Sequence, residues 1–331
     1  MSKALNLAIV RLSAMGDIIH SASILPSLLK VLNAHCTIRL SWIVDSAFKE
    51  ILEDSPYIHQ LIALPLKNAI HSKDLKALLA IHKALNKESF DIVLDMQGLI
   101  KSALVAKSLK TKSLFGFQTP KEFLAKFFYS KKIPIPYSSH ILLRNATLAF
   151  GAFNLPTPSL ETLKSPGQFL GVKPMEFSFL LKFQKKILCV LETSKPNKTY
   201  PLENFLELTK LLNAKGYTPI FLTKNPIQIP KNANFQHAHS LSLTQIKSLV
   251  AQMDLVIGGD TGITHLAWAL RRPSLTLFGA TPSERFNLNT PQNLSLSANP
   301  NANYDKNDFS IKTISPNAIL KLVEQLLNQE I

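Results

Sequence analysis

The chain has 331 residues, enough for roughly two domains that each bury a core. Apolar residues make up 46% and glycine is sparse, as in ordinary globular proteins, and no run approaches ~18 uninterrupted apolar residues, so no membrane span is expected. The net charge of +15 suits a polyanionic partner, but no zinc-finger spacing, RNA-recognition aromatic signature or KH-type glycine loop accompanies it, so nucleic acid is not expected.

The apolar run at residues 5–10 is short, is closed by Arg11 and lacks a small-residue cleavage site, so it reads as a first strand (residues 6–12) rather than a signal peptide. Ser13–Asp17 is the loop leaving it. A helix is expected from about Ile18, with Ala22, Leu25, Leu28, Leu29 and Leu32 on its apolar face and Pro26 marking a kink or restart. Thr37–Val44 and Gln60–Leu64 read as strands, Leu75–Leu85 as a helix, and Asp91–Asp95 as a buried strand that ends at Gln97-Gly98. Helix Leu99–Leu109, strand Ser113–Phe117 and helices Lys121–Tyr129 and Ser139–Phe153 complete the first half. Strands alternating with helices indicate a mostly parallel sheet. Residues 101–132 hold eight lysines against one glutamate, a pattern that fits a phosphorylated lipid or an anionic membrane surface, or else a plain solvated face.

Residues 154–185 carry turn signals without periodicity and mark the domain boundary, placed at 160/161. Strand Ile187–Glu192 opens the second domain. Helix Leu202–Ala214, strand Thr218–Leu222, a short strand near Phe235–His239 and helix Leu243–Gln252 follow. Then comes LVIGGDTGITHLAWALRRPSLTLFGATP (255–282), which reads as strand, glycine turn, helix, strand. Asn287–Tyr304 is expected to be loop with one possible strand. Ser315-Pro316 starts a last helix whose apolar face is Ile319, Leu322, Val323 and Leu326. Cys36 and Cys189 lie in apolar runs and are expected as buried free thiols.

A glycine turn ahead of a helix offers N–H groups to an anion, which makes Thr261 and Gly262 candidates for phosphate binding; the plain alternative is that Asp260 merely caps the helix. Asp17, at the first strand-to-helix turn, is likewise either a cap or a functional carboxylate. Lys198 lies in a polar loop with Thr193, Ser194 and the decoy Lys195, a set able to cradle phosphate without a metal. No Asp/Glu/His cluster with metal-ligand spacing and no Asp-x-Asp occurs, so neither metal nor cofactor is expected.

Four stretches in order resemble the bacterial lipopolysaccharide heptosyltransferases, glycosyltransferase family 9. They are RLSAMGD (11–17), DMQGLIKSA (95–103), Thr193-Ser194 with KTYP (198–201), and DTGITH (260–265) with Arg272-Pro273 and FGATP (278–282). The resemblance covers nearly the whole chain, and its third stretch is most similar to the branch acting on the first core sugar. It implies an α/β fold of GT-B type: two doubly wound, Rossmann-like domains facing across a cleft. The first (1–160) would bind acceptor, the second (161–314) nucleotide sugar, and the last helix (315–331) would pack back on the first.

The implied reaction is inverting transfer of L-glycero-D-manno-heptose from ADP-heptose to Kdo of Kdo-lipid A. Asp17 is then the general base and Lys198 the catalytic lysine at the diphosphate. Thr193, Ser194, Asp260, Thr261, Gly262, Ile263 and His265 join Lys198 in binding the donor. Ser13, Met15, Gly16, Lys67, Gln97, Gly98, Lys101, Lys121 and Arg144 are implied acceptor contacts. A cytoplasmic protein touching the anionic inner membrane surface is the expected setting. Alternatives are a heptosyltransferase with another acceptor (heptosyl-Kdo-lipid A or a protein) and a non-catalytic basic lipid-binding module. Two departures stand out. Phe221–Asn225 lacks the Gly and Glu that usually contact the nucleoside, and Tyr200 replaces a usual tryptophan.

Overall fold

The computed structural model describes residues 4–180, 182–230 and 234–328, which divide into two compact units, 1–171 and 172–331. The division falls later than the 160/161 boundary expected from turn signals. Helix Leu160–Lys164 and the buried Phe169 and Leu170 still belong to the first unit, where the Ser55 hydroxyl donates to the Phe169 carbonyl at 2.8 Å.

The first unit contains strands β1 (Leu5–Val10), β2 (Ile38–Asp45), β3 (Gln60–Leu64), β4 (Ser89–Asp95), β5 (Lys110–Phe117) and β6 (Lys131–Ile133). The second contains β7 (Lys186–Val190), β8 (Thr218–Leu222), β9 (Gln236–Ala238), β10 (Leu255–Gly259), β11 (Ser274–Phe278) and β12 (Asn293–Ser297). Both sheets are wholly parallel and doubly wound, in the orders β3-β2-β1-β4-β5-β6 and β12-β11-β10-β7-β8-β9. Chain direction across each sheet reverses beside its first strand, so the carboxyl ends of β1 and β4, and of β7 and β10, flank a switch point where such folds bind ligands. Leu7–Val10 and Leu255–Ile257 are almost inaccessible because helices cover both faces.

Local structure departs from the sequence expectations in three places. The first helix begins at Met15 and ends at Ala22. A second, Leu25–Leu32, restarts with Pro26 in its first turn, where a missing N–H costs nothing. Together Met15–Leu32 are long and apolar enough to cross a membrane, yet 61% of the stretch is buried inside the protein, as in a core helix pair. Lys121–Tyr129 is not an α-helix but a 3₁₀ segment, Phe123–Phe128. Cys189 is buried as expected, whereas Cys36 is only half-buried. The last helix, Pro316–Leu327, packs on helix Leu202–Ala214 and places Ile319, Val323 and Leu326 in one cluster with Leu208 and Leu212. A Lys215–Glu324 ion pair at 2.6 Å closes that contact. Its apolar face thus joins the core of the second unit.

Glycine at 259 is dictated by packing. A Cβ there would stand 2.1 Å from the Lys198 carbonyl oxygen and 3.1 Å from Thr193 Cγ2, so only glycine lets the loop after β7 lie on the end of β10. Gly259→Ala must push the loop away, at the roughly 1–3 kcal/mol typical of overpacking, and should lower the thermal midpoint. An unchanged midpoint would show that the loop yields freely.

Candidate functional site

In the second unit the loop from β7 brings Lys198 to the carboxyl end of β10. Lys198 Nζ donates to Asp260 Oδ2 at 2.5 Å, and His265 Nε2 lies 3.0 Å from Asp260 Oδ1. An ionised carboxylate only accepts, so the His265 Nε2–H is the donor. The side chains of Asp260 and His265 are 8% and 5% exposed, that of Lys198 20%. Burial pushes the Asp260 carboxyl up, but the His265 hydrogen bond and the Lys198 charge more than reverse this and hold it well below the usual carboxylate range. Asp260 is not a helix cap: Thr261 occupies the N-cap of Gly262–Ala269, and the Thr264 hydroxyl donates to the Thr261 carbonyl at 2.8 Å. Gly262 and Ile263 thus form the first helical turn, whose N–H groups have no intrahelical acceptors.

The loop itself is heavily braced. The Thr193 hydroxyl donates to the Lys195 carbonyl (2.7 Å) and meets Thr199 Oγ1 at 2.9 Å, while Ser194 and Lys195 are exposed. Asn197 Nδ2 donates to the Asp305 carbonyl at 2.9 Å and the Tyr200 hydroxyl to the Ile314 carbonyl at 2.7 Å. Tyr200 is buried in the core, and burial pushes its hydroxyl up to about 12. At the ends of β7 to β9, the Lys224 N–H donates to Glu192 and Thr223 Oγ1 pairs with His237 Nε2 at 2.8 Å. Burial, then the neighbouring His239, lowers His237. Glu192 thus sets a carboxylate against the segment after β8 that lacks its own glutamate.

In the first unit, Asp17 is the third residue of helix Met15–Ala22, whose N-cap position is Ala14, so capping is not its role. Instead Arg11 Nη2 lies 2.8 Å from Asp17 Oδ2, and Arg11 Nη1 donates to the Met96 carbonyl. Gln97 Oε1 accepts from the Leu12 N–H at 2.8 Å and its amide reaches Ser13 Oγ at 3.5 Å. Arg11 and Gln97 therefore lace the β1 turn to the β4 turn. Beneath them Asp95 is fully buried: Oδ1 accepts from the Gln97 and Gly98 N–H groups, Oδ2 from Ser102 (2.9 Å) and Tyr129 (2.8 Å). Burial raises its carboxyl, and burial with the Asp95 charge raises the Tyr129 hydroxyl. Gly98, at φ +69°, completes the turn.

The other expected acceptor residues sort by position. Met15 and Gly16 lie in the same first turn as Asp17, half-buried. Lys67, Lys101 and Lys121 are exposed and follow the carboxyl ends of β3, β4 and β5, the same end of the sheet as Asp17. Arg144 does not join them. Its buried guanidinium donates to the carbonyls of Thr119 (2.6 Å), Ile135 (3.2 Å) and Pro136 (3.1 Å) and stacks on Phe117, a strut for two loops rather than an open contact. Arg11, Asp95 and Asn197 were missed as site builders. Arg11 and Asn197 bond groups far away in sequence, which no local spacing announces, whereas Asp95, two residues ahead of Gln97-Gly98, carried a turn signal. Among the described residues no group of His, Cys, Asp and Glu could hold a metal ion.

Residues 78–318 match glycosyltransferase family 9 (heptosyltransferase). The chain is 35% identical to lipopolysaccharide heptosyltransferase 1 of Campylobacter coli, over 98% of this chain and 100% of that one. It is 28% identical to lipopolysaccharide heptosyltransferase 1 of Escherichia coli strain K12, over 82% and 87% of the two chains. A solved structure of E. coli heptosyltransferase WaaC with ADP shares the fold with a TM-score of 0.74 and 23% identity, covering 98% of this chain and 100% of that one.

The Asp260 arrangement predicts a stability signature. Its folded value lies below the unfolded one of about 4, so its contribution is present above that pH and is lost as pH falls towards the folded value. The stability gap between wild type and Asp260→Asn should therefore shrink steadily as the solution is acidified below about pH 4. A gap independent of pH would mean the carboxylate charge is not what matters.

Proposed function

The chain belongs to glycosyltransferase family 9, the heptosyltransferases, and from that premise we propose an inverting, metal-independent transfer of L-glycero-D-manno-heptose from ADP-heptose to Kdo of Kdo-lipid A. The observation carrying the donor half is the Lys198–Asp260–His265 arrangement at the ends of β7 and β10. A half-buried ammonium, two hydroxyl residues and a helix N-terminus suit a diphosphate whose charge grows as the glycosidic bond breaks. Arrival of phosphate gives Lys198 a second anionic partner and frees Asp260 to accept from sugar hydroxyls. Thr193 and Ser194 line the loop, and Thr261, Gly262, Ile263 and His265 the helix end.

On the acceptor side the Kdo hydroxyl oxygen attacks the anomeric carbon as the bond to phosphate breaks, ADP leaves with the electron pair, and the hydroxyl proton passes to Asp17. Arg11 on Oδ2 fixes that carboxylate and leaves Oδ1 to take the proton. Ser13, Gln97 and the lysines at 67, 101 and 121 suit an acceptor rich in carboxylates and phosphates. The setting is the cytoplasmic face of the inner membrane, where such a lipid is presented. A non-catalytic basic module would have no use for a buried, fully partnered carboxylate beside the phosphate loop.

ADP-heptose turnover with Kdo-lipid A, against the same lipid already carrying one heptose, tests the assignment; preference for the second acceptor would move the chain to another step. In that assay Asp17→Asn keeps size and one bond from Arg11 but cannot take a proton. Single-turnover rate should drop about 10²–10⁴-fold with donor affinity little changed. A normal rate in a stable variant would retire Asp17 as the base. Lys198→Ala should weaken donor binding and slow transfer, by roughly 1.5–3 kcal/mol for a charged hydrogen bond. Exposed Lys195→Ala should do far less, and equal losses would contradict the choice of lysine.

A further inference from the structure

The connections β3 to β4, β4 to β5 and β5 to β6 all step across the first sheet in one direction, so right-handed crossovers lay their elements on one face. Helix Leu75–Leu85 packs beside helix Ile100–Ser108, which packs beside the segment Phe123–Phe128. Their inward side chains, among them Leu85, Ala103, Ala106 and Ala125, share a cluster with Val10 and Val93. The outward surface of this layer is unusual. Leu75, Leu79, Leu104, Phe123, Leu124 and Phe127 are the six most exposed large hydrophobic side chains among the described residues, each 50–72% accessible.

Charge accompanies them. The three elements carry five lysines (76, 83, 101, 107 and 126) and no acid. Lys101, Leu104 and Lys107 recur at every third position, a single outward stripe. Phe123 and Phe127 meet edge to face with centroids 5.8 Å apart, and Lys126 Nζ lies 3.6 Å above the Phe123 ring. Beside them runs a groove of ≈ 270 Å³ with Leu109, Leu114 and Phe128 in its wall and Lys107 and Lys112 at its rim.

We propose that this layer is a docking surface for an anionic phospholipid bilayer, with Phe123, Leu124 and Phe127 entering the interface and the lysines meeting headgroup phosphates. A protein partner would want a lysine-poor centre, whereas here every exposed apolar side chain has a lysine within four residues. Aromatic and leucine side chains interleaved with lysine, on three elements that carry no acid of their own, match an interfacial membrane contact. The surface is also tied to the acceptor residues. Glu122 bonds both sides of their turn, its N–H donating to the Gly98 carbonyl at 3.0 Å and its carboxylate accepting from the Ile100 N–H at 2.7 Å. Docking therefore fixes the Gln97-Gly98 turn relative to the bilayer that presents a lipid acceptor. This purpose rests on the lipid-acceptor reading, although the docking itself does not.

Flotation with vesicles of phosphatidylglycerol and phosphatidylethanolamine, compared with phosphatidylcholine alone, tests it. Wild type should float with the anionic vesicles and not the neutral ones. Phe123→Ser with Phe127→Ser, and separately Lys83→Glu with Lys107→Glu, should each weaken binding by about tenfold or more. Because these side chains are exposed, the thermal midpoint should hold, and turnover on a deacylated, water-soluble Kdo acceptor should be unchanged. Equal binding to neutral vesicles, no vesicle binding by wild type, undiminished binding by both double variants, or a loss of self-association in their place would overturn the proposal. Loss of turnover on the soluble acceptor by wild type would instead strike the transferase reading and leave the vesicle result standing.

Discussion

A carboxylate as deeply buried as Asp260 stays ionised only where charges and donors replace the water it has lost, and the second unit is arranged around meeting that demand. One oxygen is met by Lys198 and the other by His265. Lys198 can reach it only because residue 259 has no side chain, and His265 only because the helix begins at Gly262, which puts the imidazole on the first turn facing back. The ion pair, the glycine and the helix start form one unit of structure. Removing one partner would strand a buried charge, a far larger penalty than a surface pair would incur.

The first unit solves a related problem differently. Asp95 is buried more deeply still than Asp260 but is met by two backbone N–H groups and two hydroxyls, with no cation among the described residues against it. Its carboxyl therefore moves up, whereas that of Asp260 moves down. Asp95 organises a turn and Asp260 holds a cation. Above Asp95, Arg11 supplies the cation for Asp17, a carboxylate left open enough to meet a substrate.

Much of the fold was legible because parallel strands buried on both faces are continuous apolar runs, and Leu7–Val10 and Leu255–Ile257 are such runs. Lys198 and Asp260 were legible through motif spacing. Less legible was anything that depends on which side of an element faces inward. The sequence reads as helical over residues 121–129, yet the segment is 3₁₀, and Phe123 and Phe127 point outward. The apolar face of Pro316–Leu327 was read correctly, but a helix face does not name its partner, and helix Leu202–Ala214 proved to be it. Arg144 shows the same limit for charge. An arginine in a basic domain looks available until the carbonyls around it are known.

The bonds that brace the Lys198 loop join distant parts of the chain. Tyr200 and Ile314, the donor and acceptor of one such bond, are 114 residues apart, and Asn197 and Asp305 are 108 apart. A ribosome adding 5–20 residues per second needs roughly 5–23 s to cover that interval. For that time the loop after β7 exists without its anchors, while the strands behind it are already made. The Lys198 loop is held by a stretch of chain that emerges long after it, so a product interrupted before Asp305 would carry the loop without the segment that holds it in place.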